Sequence, residues 1–408
     1  MIDVRPEAAG MSAEALARVD AHLRERYIEP GKIAGALTCV YRKGQLAHLS
    51  PLGLADMERQ RPMRDDTIVR IYSMSKPLTS IALMMLYERG LVQLTDPVHR
   101  WIPEFREPRV YVQGRHPRWV TERAARPMTV HDLLTHQSGL TYGFFERTHV
   151  DSGYRKLGLG NLHRYDGTLE EGMKALATLP LEFSPGEHWN YSVATDVVGY
   201  LVQAISGRPF EVYLREEILE PLGMVDTDFH VPDDKLERFA ACYERGYRKV
   251  TRLQDDPEKS AYRTPPKFPS GGGGLVSTVH DYLRFCRMLL GKGQLEGTRI
   301  IGRKTLELMT RNHLPGGQDL RSVAIGTYSE DRYAGVGFGL GFSLSLDPAA
   351  AQVSGTPGEF AWGGAASTAF WIDPVEDMAV VFLTQLMPSG AFNFRGQLKQ
   401  IIYGAIAD

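Results

Sequence analysis

Cysteine is scarce: the 408 residues hold three, Cys39, Cys242 and Cys286, far apart and set among apolar neighbours. No Cys-x-x-Cys pair occurs and no histidine pair stands nearby at metal-ligand spacing, which argues against a disulfide scaffold or a zinc finger. Long apolar runs are missing too. Stretches such as Ile81 to Tyr87 and Ala379 to Leu383 fall far short of the roughly 20 residues that a membrane-spanning helix needs. The segment Met1 to Met11 is charged and contains proline, without the apolar core of a signal peptide, so a soluble, cytoplasmic protein is expected. Charge of one sign is absent as well: 47 basic residues face 49 acidic ones, a net of −2. Such a balance supplies no global field for gripping nucleic acid or an anionic membrane. No HExxH motif and no internal repeat occur, and no metal or cofactor is expected.

What is present is ample core material, 43% hydrophobic residues against 24% charged. The length suits two or three folding units, or one large α/β unit carrying an insertion. Ser12 is a good helix N-cap, and Leu16, Val19 and Leu23 follow at helical spacing, predicting a helix over 13–27. Gly35 to Tyr41 and Leu46 to Leu52 read as an antiparallel strand pair around the Lys43-Gly44 turn. Residues 74–90 form a helical pattern, with Pro77 in the first turn and Gly90 as the stop.

From 91 to 250 the β signal fades, and short helical patterns follow at Val130 to Leu134, Leu169 to Leu179, Val193 to Ile205 and Phe210 to Leu219. Seven arginines between Arg100 and Arg126 alternate with Glu104, Glu107 and Glu122, and read as a solvated surface with local ion pairs. The polar stretch 251–274 ends in Ser270 and Gly271 to Gly274, a flexible turn back toward the first part of the fold. Helices at 278–291 and 303–311 precede strands within Gly335 to Leu346, Phe360 to Ile372 and Met378 to Gln385, and Phe394 to Ile406 closes as a helix. Gly335, Gly337, Gly339 and Gly341 would line one face of a strand; they do not match the dinucleotide fingerprint, which needs a strand, a tight turn and a helix. The expected architecture is an α/β domain from 1–90 and 251–408, an antiparallel sheet flanked by helices, with a mostly helical domain, 91–250, inserted between.

The chemistry centres on Ser73-Met74-Ser75-Lys76. Residues three apart on a helix share a face, so the Ser73 hydroxyl and the Lys76 amine can meet. A serine becomes a nucleophile once a neighbour accepts its proton, and a lysine in an apolar pocket loses basicity because burial penalises its charged form. The helix N-terminus adds free N–H groups near a developing oxyanion. Alone the motif carries little weight, since chance gives about 0.6 occurrences in a chain of this composition. Tyr191, after the turn at Pro185-Gly186 and at the head of the 193–205 pattern, strengthens it: a phenol beside an ammonium is pulled toward phenolate and could take the Ser73 proton.

Further blocks accompany these residues. They are Leu94-Thr95-Asp96-Pro97, Leu133-Leu134-Thr135-His136-Gln137-Ser138-Gly139-Leu140, Pro221-Leu222-Gly223-Met224, Ser270 with its glycine run, and Trp362-Gly363-Gly364. With them the chain resembles the serine β-lactamase and penicillin-binding-protein superfamily over roughly 10–400, most closely the class C-like carboxylesterases called family VIII esterases. The resemblance implies that Ser73 is acylated, that Lys76 and Tyr191 form the base system, and that Trp362, Gly363 and Gly364 lie on a strand lining the site. By the same resemblance the N–H of Ala365 joins that of Ser73 in an oxyanion hole. Tyr142 is either a substrate-pocket aromatic or a packed ring. His136 reads as a structural hydrogen-bonding residue.

Two departures from that family's pattern bear on substrate. Val193 stands where class C β-lactamases carry the asparagine of Tyr-x-Asn, so that amide contact is lost. Trp362 stands in place of the Lys-Thr-Gly motif, whose ammonium and hydroxyl bind a substrate carboxylate. Losing a hydrogen bond to a charged group, worth about 1.5–3 kcal/mol, should weaken carboxylate recognition about 10- to 150-fold. Neutral, short-chain carboxylic esters are therefore the expected small-molecule substrates. The α/β-hydrolase route needs Gly-x-Ser-x-Gly, and no such pentapeptide occurs; Gly10-Met11-Ser12-Ala13-Glu14 fails at its last place. A β-lactamase or D-Ala peptidase, an acyltransferase and a non-catalytic binding protein remain as alternatives, and the oligomeric state stays open.

Overall fold

Cys39 and Val381, near opposite ends of the chain, lie side by side in the computed structural model, which describes residues 3–246, 248–330 and 333–408. They belong to an eight-stranded sheet made of β1 (Gly35–Arg42), β2 (Gln45–Asp56), β3 (Arg61–Pro62), β4 (Val336–Phe338), β5 (Ser343–Ser345), β6 (Phe360–Gly363), β7 (Ala369–Asp373) and β8 (Met378–Thr384). The order is β4-β5-β6-β7-β8-β1-β2-β3, every neighbouring pair antiparallel.

Side chains alternate across a strand, so β1 and β8 feed two separate cores. Leu37, Cys39, Val381 and Leu383 join the core around α2 (Ser75–Glu88), with Leu78, Ile81 and Met85. Ala36, Val40, Val380 and Phe382 face the other way, against Leu16, Val19 and Leu23 of α1 (Ala13–Leu23) and Leu398 and Ile402 of the Phe394–Tyr403 helix. Both faces being covered, all seven residues of β8 are buried, which is why Met378 to Leu383 reads as an unbroken apolar run. The structure therefore has the expected α/β architecture, an antiparallel sheet with helices on both faces.

Several local expectations change. The helix begun by Ser12, whose hydroxyl accepts the Ala15 N–H at 3.2 Å, ends at Leu23 and passes into a wider turn over Arg24–Ile28. The stretch 91–250 carries α3 (Val130–Leu134) and α4 (Ala194–Ser206) among its helices, but also an antiparallel hairpin, Arg109–Arg115 with Arg118–Arg123. Its arginines are exposed and some pair locally, as Arg123 does with Glu107 at 3.2 Å. A ribbon solvated on most of its surface lacks the apolar alternation that betrays a strand. Gly335 to Leu346 is two short strands rather than one: Gly339 and Gly341 occupy the link between β4 and β5, and Gly341 has φ +93°. A Cβ on Gly341 would lie 2.3 Å from Ser80 Oγ, so the link presses directly on α2.

The largest correction concerns Ser270 and Gly271 to Gly274. These residues are buried throughout and form no loose turn. Gly271 runs between the heads of α2 and α4, accepting the Thr79 hydroxyl at 2.8 Å; a Cβ there would stand 2.8 Å from the Thr195 carbonyl. The glycines serve close approach between two helices. The three cysteines are buried and unpaired. Among the described residues no helix is long and apolar enough to cross a membrane.

Candidate active site

α2 places its first turn where the strap 270–274, the head of α4 and the end of β6 converge. Ser73 lies in the short turn Tyr72–Met74 just before α2, and Tyr72 holds a left-handed φ of +43°, a conformation that costs a non-glycine residue about 1–3 kcal/mol. Surrounding bonds hold the turn: the Ser75 hydroxyl donates to the Tyr72 carbonyl at 2.6 Å, and the Tyr282 hydroxyl donates to the Met74 carbonyl at 2.9 Å.

Lys76 is 1% exposed. An ammonium has three N–H bonds, and each finds an acceptor: Ser73 Oγ at 3.2 Å, Tyr142 Oη at 2.9 Å and the Gly272 carbonyl at 2.6 Å. Tyr191 Oη donates to Ser73 Oγ at 2.5 Å, and its ring centroid is 4.5 Å from Lys76 Nζ. Ser73, Lys76 and Tyr191 thus meet at one hydroxyl.

The segment carrying Tyr191 is stitched to the block after α3. Asn190 donates its backbone N–H to the His136 carbonyl at 2.9 Å and its side-chain amide to the Leu140 carbonyl at 2.8 Å. His136 packs its ring 5.0 Å from that of Tyr191 and sits 3.2 Å from the Ser192 hydroxyl. Burial, aided by the Lys76 charge, pushes its pKa well down, so it stays a neutral structural ring, as expected. Tyr142 lines the cavity beside Ser73, and its hydroxyl also accepts from Lys76, a bond that neither sequence alternative included. Burial, then the proximity of Tyr191 and Asp196, pushes its pKa well up, leaving it a neutral phenol. Val193 is buried and offers Lys76 nothing.

β6 brings Gly363 and Gly364 to the same place. A Cβ on Gly364 would lie 2.4 Å from the Ile71 carbonyl, two residues ahead of Ser73, so only glycine lets the strand end come this close. Ala365 follows in the turn to β7 and lines the cavity with Ser73; its N–H donates to no group among the described residues. Trp362, Gly363 and Gly364, expected to line the site, do not line that cavity; of this stretch Ala365 does. Trp362 lies behind Tyr191, with ring centroids 5.6 Å apart, and its buried indole N–H has no partner among the described residues.

The cavity measures about 520 Å³. Phe144, 56% exposed and stacked on Tyr142 at 4.6 Å, stands at its mouth, while His163 and Tyr262 form a polar wall. Burial and the Lys76 charge lower the His163 pKa to about 4. A larger space of about 1030 Å³ beside Glu88 and Arg89, at the far end of α2, touches none of these groups. Sequence reasoning missed the Gly272 carbonyl, His163 and Asp196. The last had a signal, being the only charge in the stretch Ser192 to Ile205.

The sequence matches the Beta-lactamase family over residues 19–402. It is 37% identical over 363 residues to an uncharacterised protein of Mycobacterium tuberculosis, covering 88% of each chain. It is 33% identical over 399 residues to Esterase EstB of Burkholderia gladioli, covering 94% of this chain and 93% of that one. Among solved structures, EstCE1, described as a hydrolase with promiscuous acyltransferase activity, superposes with a TM-score of 0.80 at 26% identity, covering 97% of this chain and 99% of that one.

Proposed function

The chain belongs to the Beta-lactamase family, and from that premise we propose a carboxylesterase that cleaves short-chain esters through an acyl group carried on Ser73. One observation bears most of the weight: Ser73 Oγ lies within hydrogen-bond reach of both Lys76 Nζ and Tyr191 Oη. The esterase relative and the hydrolase neighbour support the same chemistry.

In the reacting form the Tyr191 contact runs the other way. Tyr191, as phenolate beside the Lys76 ammonium, accepts the Ser73 proton while Ser73 Oγ attacks the ester carbonyl. The N–H groups of Ser73 and Ala365 hold the oxyanion, and Tyr191 returns the proton to the departing alcohol. Water then gives a proton to the regenerated phenolate as it attacks the acyl carbonyl, and that proton passes to Ser73 Oγ as the acid leaves. A cavity of about 520 Å³ suits a small ester, and Phe144 with Tyr142 offers its acyl or alcohol part an apolar surface. Passing the acyl group to an alcohol would use the same intermediate, and EstCE1 is described as a hydrolase with promiscuous acyltransferase activity. We also propose a family VIII assignment and a cytoplasmic location, which three free, buried cysteines accommodate.

A fluorophosphonate ester tests the reading. One adduct per chain is expected on the peptide containing Ser73, with Ser73→Ala losing both label and turnover of p-nitrophenyl butyrate. Labelling elsewhere, or turnover that survives Ser73→Ala, would refute it.

A further inference from the structure

The steps above leave one nearby charge without a part. Asp196 stands in the first turn of α4 and is fully buried. Its Oδ1 accepts the Ser270 hydroxyl at 2.5 Å and the Gly272 N–H at 3.0 Å, while Oδ2 has no hydrogen-bond partner among the described residues. The carbonyl of the same glycine accepts Lys76 Nζ at 2.6 Å. A Cβ on Gly272 would fall 2.5 Å from Asp196 Oδ2 and 3.0 Å from Tyr142 Oη. Carboxylate, glycine backbone and the phenol bonded to Lys76 are therefore packed together with no room for a side chain between them.

A buried ammonium is costly unless charge and hydrogen bonds compensate it. The three acceptors on Lys76 satisfy its hydrogen bonds, but all three are neutral groups. The titratable groups around it are Tyr142 and His136 from the block after α3, Tyr191 and Asp196 at the head of α4, His163 from the Leu162–Arg164 turn, and Tyr328 beside Tyr142 and Tyr191. Both histidines are driven toward the neutral form, and Tyr142 is held as a neutral phenol. Asp255, near His163, is already engaged by Arg70 at 2.6 Å. Asp196 is the one remaining carboxylate among these described groups. Burial raises its pKa, while the Ser270 hydroxyl and the Lys76 charge act in the opposite direction.

We propose that Asp196 is a positioning residue for the Ser73 chemistry. It fixes the strap at Ser270 and Gly272 so that the Gly272 carbonyl holds Lys76, and it supplies the negative charge that balances the buried ammonium through that single peptide group. A helix N-terminus favours an acidic residue by itself; the link through Gly272 to Lys76 is what ties this carboxylate to the reaction. The assignment rests on the Ser73, Lys76 and Tyr191 reading above. It also accounts for the loss of the family's second-motif asparagine at Val193: the lysine is held by a backbone carbonyl whose orientation is set from one helical turn further along.

The test is the pH profile of kcat/KM for p-nitrophenyl butyrate. Asp196→Asn keeps an oxygen for Ser270 and Gly272 and removes the charge. Removing a negative charge beside the site favours loss of a proton there, so the acid limb should move about one pH unit lower. Ser270→Ala loosens the same strap but keeps the carboxylate, and its limb should stay in place. If the Asn variant does not fold, Asp196→Ser, smaller and neutral, should show the same displacement. A neutral variant whose acid limb coincides with the wild type overturns the assignment of Asp196 alone. Turnover that persists in Ser73→Ala overturns the reading beneath it.

Discussion

Replacing Tyr191 by Phe removes one oxygen and leaves the ring. The ring contacts survive, including those with His136, Tyr142 and Trp362 at centroid distances of 5.0, 5.2 and 5.6 Å. What disappears is the 2.5 Å contact with Ser73 Oγ. A net hydrogen bond is worth about 0.5–1.5 kcal/mol to stability, which in a chain this long moves Tm by only a few degrees. The effect on rate is of another order. A positioned general base contributes about 10²–10⁴-fold, equivalent to roughly 2.7–5.5 kcal/mol of transition-state stabilisation. Lys76 remains 3.2 Å from the hydroxyl, so Tyr191→Phe should stay measurably above Ser73→Ala. Stopped-flow turnover of p-nitrophenyl butyrate, with intact-protein mass spectrometry of the acylated chain, separates slow acylation from slow deacylation; both should slow, because the phenol serves both. A folded Tyr191→Phe enzyme within tenfold of the wild type would refute the phenol as proton carrier, and a simultaneously inactive Lys76→Ala would pass that role to the amine.

Gly364→Ala should cut kcat/KM at least 10-fold with little change in KM, because its Cβ, 2.4 Å from the Ile71 carbonyl, must push the Ala365 N–H away from Ser73; unchanged kcat would count against an oxyanion hole there. Nitrocefin should be hydrolysed far less efficiently than p-nitrophenyl butyrate, since Trp362 presents no cation to a substrate carboxylate, and comparable kcat/KM values would reverse that view. Stability should fall as pH drops from about 6.5 toward 4: His163 binds its proton near pH 4 when folded but near its ordinary value when unfolded, so the unfolded chain gains protons first. The 2.5-unit gap sets an upper bound of about 3 kcal/mol, and urea denaturation of His163→Gln across that range should show a shallower decline than the wild type; parallel curves would contradict it.

Periodicity and end signals were enough to find most of the elements. β8 and α2 announce themselves because a buried strand, and a helix with proline in its first turn and glycine just past its end, impose patterns no longer than the elements. The hairpin at 109–123 escaped because its residues face water on most sides, leaving composition to imitate a charged loop. The glycine run at 271–274 was misjudged for a related reason: glycine marks either freedom or crowding, and only the neighbours Thr79, Thr195 and Asp196 decide which. At the site, Ser73, Lys76 and Tyr191 could be named because the chemistry demands those side chains. The Gly272 carbonyl could not, since a backbone acceptor leaves no trace in residue type. Trp362 was placed on the right strand but not behind Tyr191, because which face of a strand meets the cavity depends on a register that one sequence does not print.

The pairing of β1 with β8 also sets a timetable for biosynthesis. β1 leaves the ribosome before its partner across residues 378–384, which emerges more than three hundred residues later, a delay of tens of seconds at about 5–20 residues per second. Through that interval one edge of β1 is unpaired and open to neighbouring nascent chains, and α2 lacks the sheet on which its core residues rest. The nucleophile is thus translated well before residues 378–384 and becomes competent only after them, so incomplete translation products should carry Ser73 without its reactivity.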